Sequence, residues 1–334
     1  MPNITKSEIE KNLIKFIETN IILDYPDMDP IIAHDFISKA FWSGVIKSSE
    51  NEDLLNWYKN IFKKNLFILD QDDYSEASID ALKKQFSLAG TDFGSSKQRD
   101  LGQKWADTIR GYLGEIGVRK LLKSKYNLEI SLAHEPGDLE EFVSKDIHEV
   151  KFQNQEKRKP KIKVSIKTVK SNGIWLDFTE QMFIHADVHI NCCVGVGTNH
   201  LFSFFKHLSV FKDKIIKNAI DRNFINQEEG NNIYDQVPSF KNIYGYVPGF
   251  VVKKSEYESF SYDGKKGRLN YTIDKWSGKY LHSYLEIVKN NENVEKGVKF
   301  LGIGVFSREN IYVFGLSSLM WSDDDWKNLI INKI

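Results

Sequence analysis

The sequence predicts an α/β (α+β) chain. A central mixed β-sheet is flanked by helices, a helical domain precedes it, and a C-terminal α/β elaboration follows. Three observations carry that expectation. Most of residues 1–95 place apolar side chains at helical spacing. Residues 161–170 (KIKVSIKTVK) alternate instead, with Ile162, Val164 and Ile166 on one face and Lys163, Ser165 and Lys167 on the other. Residues 187–196 form a largely apolar run, the pattern of a strand buried on both faces of a mixed sheet.

The N-terminal helices can be justified one at a time. The first spans residues 7–19, with Ile9, Leu13, Phe16 and Ile17 on one stripe and a capping box from Ser7 to Glu10. Asp29-Pro30 is an N-cap and first-turn pair for a second helix through Phe36, Ile37, Ala40 and Phe41. Residues 53–62 and 75–86 read as two more. Residues 88–98, small and polar, make a boundary. A long amphipathic helix then covers residues 99–123, with Gly114 beside Glu115 where a neighbouring backbone can come close.

Strands are expected at 128–133, 147–152 and 161–170, a turn at 170–173, an apolar patch at Trp175 and Leu176, and a helix at 179–185. Further on come a helix at 210–222, a polar loop at 226–232 and a strand at 243–252. An apolar hairpin is expected from residues 299–305 and 311–316, then a helix capped by Ser322. The domains expected are residues 1–95, 96–252 and 253–334.

Composition narrows the class. The chain has 334 residues, 41% hydrophobic and 28% charged, an ordinary globular balance. No apolar run approaches the ~18 residues of a membrane span, and residues 1–12 lack the apolar core of a secretion signal. Cys192 and Cys193 are the only cysteines, adjacent in an apolar run, which fits buried thiols in a reducing compartment. A cytoplasmic protein is expected. Net charge is zero, yet residues 151–170 hold eight Lys/Arg against one acid, Glu156. Local basic density of that kind draws polyanions.

The chemistry centres on residues 161–180 (KIKVSIKTVKSNGIWLDFTE). Lys167 leaves the polar face of a strand whose other face is core, and Glu180 follows on a helix. The order helix, three strands, helix, strand over residues 100–200, together with Ser165-Ile166-Lys167 and Glu180 thirteen residues later, resembles the PD-(D/E)xK nuclease superfamily. The resemblance is to type II restriction endonucleases whose active site reads SxK…E, with the helical Glu supplying the carboxylate missing from the strand.

The resemblance implies an acid on the second strand, a Mg²⁺ ion, and catalytic roles for Ser165, Lys167 and Glu180. Asp146 and Asp138 both match the strand acid, Asp138 in a Pro-Gly-Asp variant that also suits a helix N-cap. A rival register joins Asp138 to Glu149-Val150-Lys151, but a loop and a strand follow Lys151 where the family has a helix. Glu115 resembles the helical acid that some members point at the metal, so the implied metal ligands are Asp146, Glu180 and Glu115. Physically, a phosphodiester is anionic, and Mg²⁺ takes carboxylate, water and phosphate oxygens.

Lys163, Lys170, Lys253, Lys254, Lys265, Lys266 and Arg268, interleaved with aromatics from Tyr244 to Trp276, suit phosphate and base contact, although alternating aromatics in strands are usually core. His185, Asp187 and His189 share a strand face, but Cys192 and Cys193 point opposite ways, which disfavours zinc. No phosphate-loop, nucleophile-elbow or HExxH motif is present. The expected protein is therefore a Mg²⁺-dependent, site-specific deoxyribonuclease acting on double-stranded DNA. It would leave 5′-phosphate and 3′-hydroxyl ends and work as a homodimer alongside a cognate DNA methyltransferase. The alternatives are a catalytically silent DNA-binding protein on the same fold, or a modification-dependent or structure-specific repair nuclease.

Overall fold

A computed structural model describes residues 5–85, 101–132, 146–153, 155–173, 175–253, 270–273, 297–300, 304–306 and 311–334. Its centre is a four-stranded mixed sheet of order β1-β7-β6-β4: β1 (Leu66–Leu69), β7 (Ile243–Val252), β6 (Val188–Val194) and β4 (Val164–Lys170). β4 runs parallel to β6, and β6–β7 and β7–β1 are antiparallel. Helices cover both faces.

On one face lies α5 (Leu101–Tyr126), packed on α4 (Gln71–Gln85) and on the β2–β3 hairpin (Leu128–Leu132 and Ile147–Phe152). Its Ile109, Leu113 and Ile116 share a core with Val164, Ile166, Ile190 and Cys192. The other face carries α1 (Lys6–Phe16), α2 (Pro30–Trp42) and α3 (Asn51–Trp57, continued by a π-helical turn Tyr58–Phe62). Leu13, Phe36, Trp57 and Phe62 pack there against Cys193, Tyr244 and Tyr246. Period-two alternation thus sends the two adjacent cysteines into opposite layers.

Gly114 sets how close α5 comes to the sheet. A Cβ built there would meet the Thr168 side chain at 2.7 Å and nearer. In its absence Thr168 Oγ1 donates to the Gly111 carbonyl at 2.8 Å, and Cys192 Sγ lies 3.4 Å from the Gly114 oxygen.

Several sequence expectations need correction. α1 is capped by Thr5 and Glu8, two residues before Ser7 and Glu10. The two frames overlap, and Glu10 is taken by His34 on α2 at 2.9 Å. β1 was hidden in a stretch read as helical. Residues 175–179, expected as a patch after a turn, form β5 (Trp175–Thr179), and its partner is β11 (Ile311–Gly315). Among the described residues the expected hairpin of residues 299–305 with 311–316 is not made: β9 (Gly297–Phe300) pairs with β10 (Gly304–Phe306) and with β8 (Asn270–Ile273). Residues 226–232 are not a loop, because Asn226 and Glu229 form a capping box that starts a helix at Gln227–Gln236. The expected helix at 210–222 is a π-helical turn, Val210–Ile216, running into Lys217–Asp221. Ser322 caps the last helix as expected, with Asp325 closing the box, and Trp326 behind it packs edge-on to Phe250.

Candidate active site

Asp146, the residue just before β3, ties that strand to β4. Its N–H donates to the Val164 carbonyl at 3.0 Å. Its carboxylate Oδ2 accepts from Ser165 Oγ at 3.2 Å and from the Ile166 N–H. β4 continues past this point, so Lys167 stands one pleat beyond Ser165 on the same face, about 6.6 Å along the strand. Asp146 is half-buried, and its carboxyl group faces the backbone of β4. Burial, and then the nearby Glu115 carboxylate, push that carboxyl up to about 7, against the pull of the two hydrogen bonds and of Lys84.

Glu115 reaches this neighbourhood from α5, and Lys84 from the last turn of α4. Burial holds the Lys84 amine below its ordinary range, with Glu115 and Asp146 opposing, and its Nζ lies 5.3 Å over the Tyr112 ring. Tyr112, three residues before Glu115 on the same helix face, is itself raised by burial and by these acids. Neither Lys84 nor Tyr112 was singled out by sequence. Their only signal was helical spacing, which they share with ordinary core and surface residues.

Glu180 opens α6 (Glu180–His185) directly after β5. The Phe183 ring of that helix stacks on His189 at 5.1 Å, and the Phe183 carbonyl lies 3.2 Å from His189 Nε2. His189 is paired with Ser165, and Asn191 with Lys167, across the parallel ladder. Paired residues share a face, so α6 covers the face of β4 that carries Ser165 and Lys167. Asn191 is fully buried there, and neither polar atom of its side-chain amide has a hydrogen-bond partner among the described residues.

The other expected residues divide. Asp138, Lys254, Lys265, Lys266 and Arg268 lie outside the described residues. Lys163, Lys170 and Lys253 are exposed. Lys163 and Lys253 meet at Asp187, whose N–H donates to the Lys163 carbonyl at 2.8 Å and whose carbonyl accepts from the Lys253 N–H at 2.8 Å. Lys170 ends β4 at the other end of the strand. Glu149 and Lys151 of the rival register are both engaged, Lys151 with Glu129 across the β2–β3 hairpin at 4.0 Å and Glu149 with Lys157, beyond the end of β3, at 3.7 Å. They line a cleft of about 290 Å³ with Arg119, Lys120 and Lys123, which Asp146, Ser165 and Lys167 do not line.

Two members of the His-Asp-His trio are engaged elsewhere. Asp187 accepts from the Lys163 N–H at 2.8 Å, while burial holds His189 neutral, its ring down to about 4. Among the described residues no three of His, Cys, Asp and Glu form a group suited to a metal. Asp146 and Glu115 make a pair of hard oxygen donors, and one or two protein carboxylates suffice for Mg²⁺ when water and phosphate fill the rest. Two carboxylates on neighbouring elements, one near enough to raise the other, fit a divalent cation.

Comparison with protein-family models, with curated proteins and with solved structures found no match to the chain. Among the described residues no helix is long and apolar enough to cross a membrane.

Proposed function

We propose that the chain is a magnesium-dependent endonuclease of the PD-(D/E)xK kind, cutting double-stranded DNA at specific sites in the manner of a type II restriction enzyme. The observation that carries this reading is the bonding of Asp146 to Ser165 and Ile166 on the strand of Lys167, with Glu115 close by. Asp146 and Glu115 would hold the ion, with Glu180 as the third ligand that the sequence pattern suggests. When bound, Mg²⁺ supplies neutralisation of charge on the phosphoryl oxygens and acidifies a coordinated water.

The protein's own groups do the rest. Ser165 Oγ and the Ile166 N–H orient the Asp146 carboxylate. Lys167 orients the attacking water and offsets negative charge building at phosphorus. Lys84 tempers the repulsion between the two acids. Lys163, Lys170 and Lys253 suit phosphate contact, and Lys254, Lys265, Lys266 and Arg268 belong to the same proposal. Cutting both strands calls for two sites, hence a homodimer, and a restriction role calls for a companion methyltransferase.

The test is incubation with methylated and unmethylated plasmids in Mg²⁺ or EDTA. Discrete bands that need Mg²⁺ are expected, with cleavage by Lys167→Ala lower by about 10²–10⁴-fold in a folded protein. A smear would point to a structure-specific nuclease. Salt-sensitive binding without cleavage in Mg²⁺ or Mn²⁺ would point to a silent DNA-binding protein. Undiminished cleavage by Lys167→Ala would overturn the assignment.

A further inference from the structure

The face of the sheet away from α5 holds a lysine in the core. Lys39, on α2, is 3% exposed, and its Nζ lies 2.6 Å from Sγ of Cys193 on β6, which is 0% exposed. Among the described residues that sulfur is its hydrogen-bond partner, the Tyr246 ring lies 5.8 Å away, and no carboxylate stands within ion-pair distance. A buried amine is costly unless hydrogen-bonded and charge-paired, and a thiol is a poor partner for it. The separation is also short. It falls below the usual N–H···O distance of about 2.9–3.0 Å although sulfur is the larger atom, and it suits two atoms joined through one shared oxygen.

From these two independent features we infer that Lys39 and Cys193 form a reversible covalent N–O–S bridge under oxidising conditions. The reaction balances with dioxygen as the oxidant. The neutral amine gives up one hydrogen and the thiol another. New N–O and O–S bonds share one oxygen atom, and the second oxygen leaves with the two hydrogens as water. Nitrogen and sulfur together lose four electrons, which dioxygen gains. Two equivalents of a dithiol reverse this, returning amine, thiol and water.

Proximity drives the step. Burial raises the Cys193 thiol, so it is not a free thiolate that scavenges oxidants. Held against an amine it instead reacts at a high effective concentration. Cys192 cannot substitute, because it faces α5 in the opposite layer. The bridge would clamp the N-terminal helical layer onto β6, two residues along from Asn191, the ladder partner of Lys167.

The test is intact-mass and peptide-mapping spectrometry on the whole chain, exposed to air and then treated with dithiothreitol. The expected result is a species heavier by one oxygen and lighter by two hydrogens. It should map to a cross-linked pair of peptides carrying Lys39 and Cys193, melt at higher temperature than the reduced protein, and vanish on reduction. Lys39→Met and Cys193→Ala should each abolish it, but the wild-type peptide map is decisive even if those variants fold poorly. Air-exposed protein in which both residues remain unmodified, or in which Cys193 carries only sulfinic acid, would overturn the inference.

Discussion

Asp146 concentrates the electrostatics of the site in one side chain. In its folded place the carboxyl sits at about 7 against an ordinary 3.8, so the folded state holds that proton more tightly than the unfolded chain. The sign follows: metal-free protein loses stability as pH climbs from about 4 through 7, and the full penalty is present above 7. Asp146→Asn removes the titration. In EDTA its stability relative to wild type should therefore rise with pH, by up to about 4 kcal/mol between pH 4 and 8. Urea unfolding at several pH values checks this, and a pH-independent difference would refute it. Local sequence offered both Asp146 and Asp138 and favoured Asp146, because Asp138 also suits a helix N-cap. Asp146 accepts bonds from Ser165 and Ile166, on a strand some twenty residues away, while Asp138 lies outside the described residues.

α5 is the element whose placement the site depends on. It carries Glu115 and Tyr112 on the side that meets Asp146 and Lys84, and Gly114 lets it approach β4 at Thr168. Gly114→Ala would drive a methyl into Thr168, which is held by its bond to Gly111 and cannot swing aside freely. A loss of about 1–3 kcal/mol is expected, with cleavage falling as Glu115 shifts. Gly111→Ala is the control, because among the described residues nothing lies within 4 Å of a Cβ there. That variant should be neutral or gain up to about 1 kcal/mol from helix propensity. Equal urea midpoints for the two variants would refute the close-approach argument. The helix was legible from its apolar spacing, and the glycine beside Glu115 was readable as a close approach, but which strand came close was not.

At the scale of the molecule the net charge is zero, so the proposed DNA binding would have to come from local groups such as the exposed Lys163 and Lys253 gathered around Asp187. Each phosphate contact contributes about 0.9 to the slope of log affinity against log salt. Replacing both lysines with Gln should lower that slope by about 2, measured by binding in Ca²⁺ or EDTA over a range of salt. An unchanged slope would remove them from the interface. Packing is shared across the chain in the same way. β1, from the N-terminal third, pairs with β7, and β5 pairs with β11 more than a hundred residues later.

What the sequence determined by itself was local. Period-two and helical spacing marked β3, β4, β6, β7 and α5, and short-range caps marked Asp29 and Ser322, because alternation and capping need only neighbouring residues. Tertiary structure decided which strands pair, that β5 meets β11 where sequence suggested a C-terminal hairpin, and that α6 lies over the face of Ser165 and Lys167. It also brought Lys84 beside Asp146 and Glu115, and Lys39 against Cys193. These depend on contacts between residues far apart in the chain, and no spacing rule encodes the partner of an edge strand or the neighbour of a buried amine.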